Sequence, residues 1–242
     1  MPERSRRVTV DRTPARPYTR PVGPAPIAVY RRTIAASVAR VWENVLDWEH
    51  LPWLHRTTFA FVDARASGPD GWTAETALVW DPAHPVVVEV TLDRAELCYH
   101  TRTIAGPGTG TDIVTRLTPL AWDRTGIEVT FGVPDVPPDA VERVGRVYTT
   151  LYARLWDEDE GMMQRRQAVV DGVLPTEPLA LAVDGHTLEA SGVCPHRGGP
   201  LPDCVDGDGC ITCPWHGYRF DARTGAGVGG HALRLAPSPT RR

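Results

Sequence analysis

Near the end of the chain, "CPHRGGPL" and "CPWHG" supply Cys194-x-His196, then sixteen residues, then Cys213-x-x-His216. Near its start, "DWEHLPWLHR" supplies Asp47-x2-His50-x4-His55. Two thiolates and two imidazoles can hold zinc tetrahedrally, but zinc sites usually draw on pairs of cysteines two to four residues apart. The Cys-x-His arrangement suits a two-iron cluster better, each loop giving a thiolate to one iron and an imidazole to the other. Replacing two thiolates by neutral imidazoles removes negative charge and raises the reduction potential. Gly198, Gly199 and Gly217 would let the backbone pass close to such a cluster and aim amides at its sulfurs.

Residues 193–225, with "CPHRGGPL", "CPWHG" and "FDARTG", resemble the Rieske [2Fe-2S] motif. The resemblance implies that Cys194, His196, Cys213 and His216 hold the cluster. Rieske proteins of respiratory complexes carry a disulfide between the two ligand loops. The positions that would hold it are Gly199 and Trp215 here. The likeness is therefore to the ferredoxin and oxygenase type, with Cys204 and Cys210 as bystander thiols.

Such a cluster stores one electron and needs a partner site. "ENVLDWEHLPWLH", residues 43–55, resembles the mononuclear-iron motif of Rieske non-heme iron oxygenases. The resemblance implies His50 and His55 as iron ligands and Asp47 as the aspartate that bridges the two centres, with Glu43 at a position held by Glu or Asn. "EDEGMMQRRQ", residues 158–167, resembles the family's carboxylate segment, and the correspondence selects Asp159.

The spacing carries its own argument. His50 and His55 would point about 140° apart on an unbroken helix. Pro52 is expected to end that helix and free His55 to swing back. Asp47 and His50, three apart, share a face, which suits a carboxylate bonded to a ligand's second ring nitrogen. A late helical stripe, Val141, Val144, Tyr148, Leu151 and Leu155, continues by spacing to 158 or 159. A carboxylate on that face needs a partner or a metal. Glu158 is the alternative, while Asp157 and Glu160 are expected in solvent.

These residues need elements to hold them. "IAVYRRTI", "WTAETALVW", "PVVVEVTLD" and "IEVTF" read as strands, punctuated by "SGPDG", "DPAHP" and "AGPGTGTD". "SVARVWENVLDWEH" reads as a helix capped by Ser37, and a longer helix is expected from about 140 to 170. Strands against a long C-terminal helix suggest an α+β, START-like helix-grip (SRPBCC-like) domain over 25–168. Many short strands and loops suggest a small all-β Rieske domain over 169–242. Residues 1–24 read as a disordered basic tail, without the apolar core of a signal peptide. Relative to the oxygenase family the domain order is reversed.

All 26 basic residues are arginine, yet the net charge is −4 and no basic stripe favours nucleic acid. Apolar runs are too short for a membrane span, which needs about 20 residues. A cytoplasmic protein is expected, in which five cysteines point to metal or free thiols before disulfides. The expected activity is hydroxylation or oxidative demethylation of a hydrophobic small molecule with O2, a [2Fe-2S] cluster and Fe(II). No nicotinamide or flavin fingerprint is present, so electrons would come from a separate NAD(P)H-dependent reductase or ferredoxin. The other reading is a Rieske electron carrier fused to a START-like ligand-binding module without a second iron. In the oxygenase family electrons pass between neighbouring subunits of a ring; with the domains reversed, a homo-oligomer of that kind is left open.

Overall fold

A computed structural model describes residues 23–174, 178–183 and 185–237. The tail expected over 1–24 lies, through residue 22, outside the described residues.

The chain opens with β1 (Pro26–Ile34) and α1 (Val38–Leu46). Ser37 caps α1 by accepting from the Arg40 amide at 3.3 Å, as its position before the apolar repeat predicts. Pro52 does not end this helix. The chain leaves it at Asp47, turns once through a 3-10 segment (Trp48–His50), and forms a short α2 (Leu51–Leu54). Pro52 falls in the first turn of α2, where its missing N–H has no helical partner to lose.

Six more strands follow: β2 (Phe59–Gly68), β3 (Gly71–Leu78), β4 (Asp81–Asp93), β5 (Cys98–Ala105), β6 (Asp112–Ala121) and β7 (Arg124–Gly132). With β1 they form one antiparallel sheet in the order β1-β7-β6-β5-β4-β3-β2. "DPAHP", expected as a turn, is instead the start of β4; the turn is Val79–Trp80. A register shift between Thr76 and Leu78 accommodates the two prolines, since an irregular ladder tolerates residues that cannot donate.

The long α3 (Val141–Val170) packs on one face of this sheet, so the first part of the chain is a helix-grip fold. Its core joins Ile34, Val41, Val90, Val129 and Phe131 to Trp156 and Met163 of α3. The remainder is a small all-β unit, with a hairpin of β8 (Pro178–Val183) and β9 (His186–Ser191). A second sheet holds β10 (Cys210–Thr212), β11 (Arg219–Asp221) and β12 (Gly227–Val228). Leu179, Leu181, Ile211 and Phe220 form its core around Cys194 and Cys213, and Met162 of α3 is packed into it. The last turns of α3 thus belong to both units. No helix among the described residues is long and apolar enough to cross a membrane.

Candidate metal centres

Two loops of matching form carry the cysteine–histidine pairs. Gly198 N–H donates to the Cys194 carbonyl and Gly217 N–H to the Cys213 carbonyl, both at 2.9 Å. Both glycines have positive φ, +85° and +68°, the left-handed conformation that ends such a turn and that glycine adopts without strain. These glycine amides therefore close the loops, and the expectation that they face the sulfurs is corrected. The amides inside each loop face the sulfurs instead, those of His196 and Arg197 toward Cys194 and those of Trp215 and His216 toward Cys213. Gly199 is required by space: a Cβ there would lie 2.9 Å from Cys213 Sγ and 3.0 Å from the Trp215 ring.

The two loops bring all four side chains together. Cys194 and Cys213 are within hydrogen-bonding reach of each other and almost wholly buried, and the His196 and His216 ring centroids are 4.6 Å apart. His196 Nδ1 is buried without a hydrogen-bond partner. An orphaned ring nitrogen beside two buried thiols is what a metal cluster would satisfy. Burial, and then the neighbouring His216 charge, hold His196 down at about 4, so its imidazole is neutral and free to ligate. His216 is pushed up to about 9: burial works against this, but the hydrogen bonds and charges of Asp47 and Cys213 together outweigh it. Cys204 and Cys210 are also free thiols.

Asp47 is the junction between the two units. Its Oδ2 accepts from His216 Nε2 at 2.8 Å and lies 3.1 Å from Arg197 Nε. Burial raises its carboxyl, but the His216 bond and the nearby His50 and Arg197 charges more than reverse this. The sequence suggested that this carboxylate would also take the second ring nitrogen of His50. It does not: His50 Nδ1 donates to the backbone carbonyl of Asp47. The 3-10 turn lays that carbonyl over the residue three positions on, which leaves the carboxylate for His216.

His55 Nδ1 is taken by Glu158 Oε2 at 2.5 Å. With both Nδ1 atoms donating, the Nε2 atoms of His50 and His55 turn toward Asp159 Oδ1, at 3.2 and 3.1 Å. His50 Nε2 is buried yet makes no hydrogen bond. The three candidate ligand atoms lie within 4.8 Å of one another, and such a His-His-carboxylate set could hold a divalent metal. Burial raises the Asp159 carboxyl, but the His55 and His50 imidazoles hold it far below the usual carboxylate range. Burial lowers His55, but Asp159 and Glu158 together raise it above its ordinary value.

Several contacts around these residues escaped the sequence reading. Asn44 Nδ2 donates to Asp159 Oδ1 at 3.1 Å. Glu43 joins Arg166 at 3.1 Å and Arg197 at 2.6 Å, and also meets Arg40. Asp157 is exposed as expected, but Glu160 is not in solvent: it accepts from Arg32 at 2.5 Å and the Ala35 amide at 2.7 Å. All of these except the Arg40 pair are contacts between distant segments, which spacing does not reveal.

The His50, His55 and Asp159 set lies in the wall of a cavity of about 240 Å³ between the sheet and α3. The rest of the wall is mostly apolar and aromatic, including Trp72, Val90, Tyr99, Ile113 and Tyr152.

Residues 157–238 match the family of the Rieske [2Fe-2S] domain, and this part of the chain is such a domain; the domain implies a [2Fe-2S] cluster. Comparison with curated proteins gives no match. Solved structures similar to the first part include a START superfamily protein from Mycobacterium smegmatis, 19% identical, with a TM-score of 0.46 over 57% of this chain and 96% of that one. The Zhui aromatase/cyclase from Streptomyces sp. R1128 is 15% identical, with a TM-score of 0.43 over 57% of this chain and 93% of that one. Truncated norcoclaurine synthase from Thalictrum flavum is 22% identical, with a TM-score of 0.44 over 55% of this chain and 89% of that one.

Proposed function

We propose that the chain is a Rieske-type non-heme iron oxygenase that hydroxylates or oxidatively demethylates an apolar or aromatic small molecule. In this reading residues 25–168 are the catalytic domain and 169–242 the Rieske domain. Cys194, His196, Cys213 and His216 hold the [2Fe-2S] cluster; His50, His55 and Asp159 hold Fe(II). The reading is carried by the approach of His50 Nε2 and His55 Nε2 to one carboxylate oxygen of Asp159 in the wall of an apolar cavity.

When bound, the cluster supplies electrons singly and the iron supplies open positions for O2 beside the substrate. The chain's own residues do the rest. The Asp47 carbonyl and the Glu158 carboxylate hold the Nδ1–H groups of His50 and His55, so that both Nε2 atoms face Asp159, where a bound metal would take their lone pairs in place of a proton. The Asp47 carboxylate holds His216 by its Nε2–H, leaving Nδ1 for the cluster. Apolar walls hold the substrate and keep water from it. Electrons come from a separate NAD(P)H-dependent reductase or ferredoxin in the cytoplasm.

Iron counting tests the proposal. Three irons and two acid-labile sulfides per chain are expected. Two irons, with full sulfide, would instead leave a Rieske carrier joined to a ligand-binding module.

A further inference from the structure

We infer that each chain is a complete electron-transfer unit, because cluster ligand His216 and iron ligand His50 are joined through Asp47 within one protomer. The inference rests on the oxygenase reading and adds the route: no second copy is needed to connect the centres.

The link is short and closed. His216 Nε2 donates to Asp47 Oδ2 at 2.8 Å, His50 Nδ1 donates to the carbonyl of the same residue, and the His50 and His216 rings are 6.4 Å apart. Asp47, His50 and His216 are 5%, 3% and 6% exposed, so no residue of another chain can enter between them.

The link is also clamped on every side. Arg197 and Arg166 both pair with Glu43 of α1. Arg165 Nε donates to the Gly198 carbonyl at 2.8 Å, and Tyr218 OH reaches Glu49 at 3.4 Å. Trp53 packs on Gly217, where any side chain would overlap its ring. Most directly, α3 is one unbroken helix that lines the cavity with Tyr152 and Asp159 and then buries Met162 in the second core. For a neighbour's cluster to reach Asp47, His216 of the same chain would first have to leave it.

Complementation between two variants tests this. Asp159→Ala removes a ligand of the iron while leaving the cluster. His216→Cys removes the Asp47 contact but keeps a metal-holding atom at that position, and its added thiolate lowers the potential and changes the EPR signal. The two variants are co-expressed with different tags and doubly tagged species are isolated. Reduced clusters are then mixed with O2 and an apolar aromatic probe that re-oxidises the wild type. The same samples are read by EPR relaxation, because a paramagnetic ion near a reduced cluster shortens its spin relaxation.

The expected result is that mixed species re-oxidise no faster than Asp159→Ala alone, and that the native-type EPR signal relaxes slowly. Failure to obtain any mixed species, with the wild type active as a monomer, supports the same route. Recovery of roughly half the wild-type rate, with fast relaxation of the native-type signal, would mean transfer between subunits and would overturn the inference while leaving the oxygenase intact. A wild type holding only two irons overturns both readings together.

Discussion

His216 of the last domain donates to Asp47 of the first across 169 positions of sequence, Nε2 to Oδ2, at 2.8 Å. Both groups are almost wholly buried, and both belong to segments that carry metal-ligating residue types. The contact makes Asp47 the most informative position to change. Asp47→Asn keeps the size but replaces an ionised acceptor with a neutral amide, weakening the hydrogen bond. On the oxygenase reading both metal centres should survive, since the His50 tautomer is held by the backbone carbonyl and not by the altered side chain. Reductase should still bleach the cluster. Re-oxidation with substrate and O2 should slow about tenfold or more if about 1.4 kcal/mol is added to the barrier. A stopped-flow trace identical to wild type would rule out the bridge.

The three carboxylates at the middle of α3 should separate cleanly. On the oxygenase reading Asp159→Ala should lower iron from three to two per chain with the Rieske spectrum unchanged. Asp157 is 71% exposed and pairs with Arg32, so Asp157→Ala should shift stability by less than about 1 kcal/mol and keep full iron. Glu160→Ala should cost more stability than Asp157→Ala, because Glu160 is 17% exposed and holds both Arg32 and the Ala35 amide. Metal analysis and thermal melts of the three variants check the ranking; loss of iron in Asp157→Ala alone would contradict the assignment.

Cluster loss should be felt as unfolding. Cys194 and Cys213 are buried at the centre of the small second core, and metal-binding energy there is part of folding energy. Cys194→Ser or removal of iron by a chelator should bleach the red-brown colour. Hydrogen exchange should then rise across 178–237 while the sheet of the first domain stays protected. Equal protection with and without the cluster would argue against this coupling.

Gly217→Ala probes the contact between the domains. The residue has φ +68°, and an added methyl would overlap the Trp53 ring. Strain and overpacking should together cost about 1–3 kcal/mol. The melting temperature should fall, and Trp53→Ala in the same chain should relieve part of the loss. No relief would show that the backbone conformation alone sets the cost.

Away from the metal sites, Asp112 should give the fold a measurable acid dependence. Burial raises its carboxyl, but the hydrogen bond from His100 at 2.9 Å and the His100 and Arg102 charges hold it below its ordinary value. A depressed folded-state pKa contributes stability that is present above the unfolded value, about 3.9, and is lost as pH falls through the folded value. Wild type should therefore lose stability on acidification below about pH 5 more steeply than Asp112→Asn does. Parallel denaturant midpoints for the two proteins across that range would contradict it.

What the sequence determined by itself was local. The residue types and spacing in 194–216 define two cysteine–histidine loops, because each loop is closed by its own backbone bonds. The α3 stripe was legible for the same reason: a helix repeats its face every three or four residues. Strands β2, β5 and β6 were not legible. β2 is exposed over most of its length, and neither β5 nor β6 keeps an alternation of buried and exposed positions throughout. Pairing with neighbouring strands, and not side-chain pattern, makes them strands.

Tertiary structure alone decided which atom of each polar residue meets which partner. Spacing put Asp47 beside His50, but only the turn after α1 gives the carbonyl to His50 and the carboxylate to His216. Spacing left Glu158 and Asp159 as alternatives; the fold turns Asp159 to both Nε2 atoms and Glu158 to the far nitrogen of His55. The Glu43–Arg197 and Arg32–Glu160 pairs form only when segments more than a hundred residues apart are folded together. A hydrogen bond is fixed by a few tenths of an ångström and by direction, and neither is written in the spacing of residues along a chain.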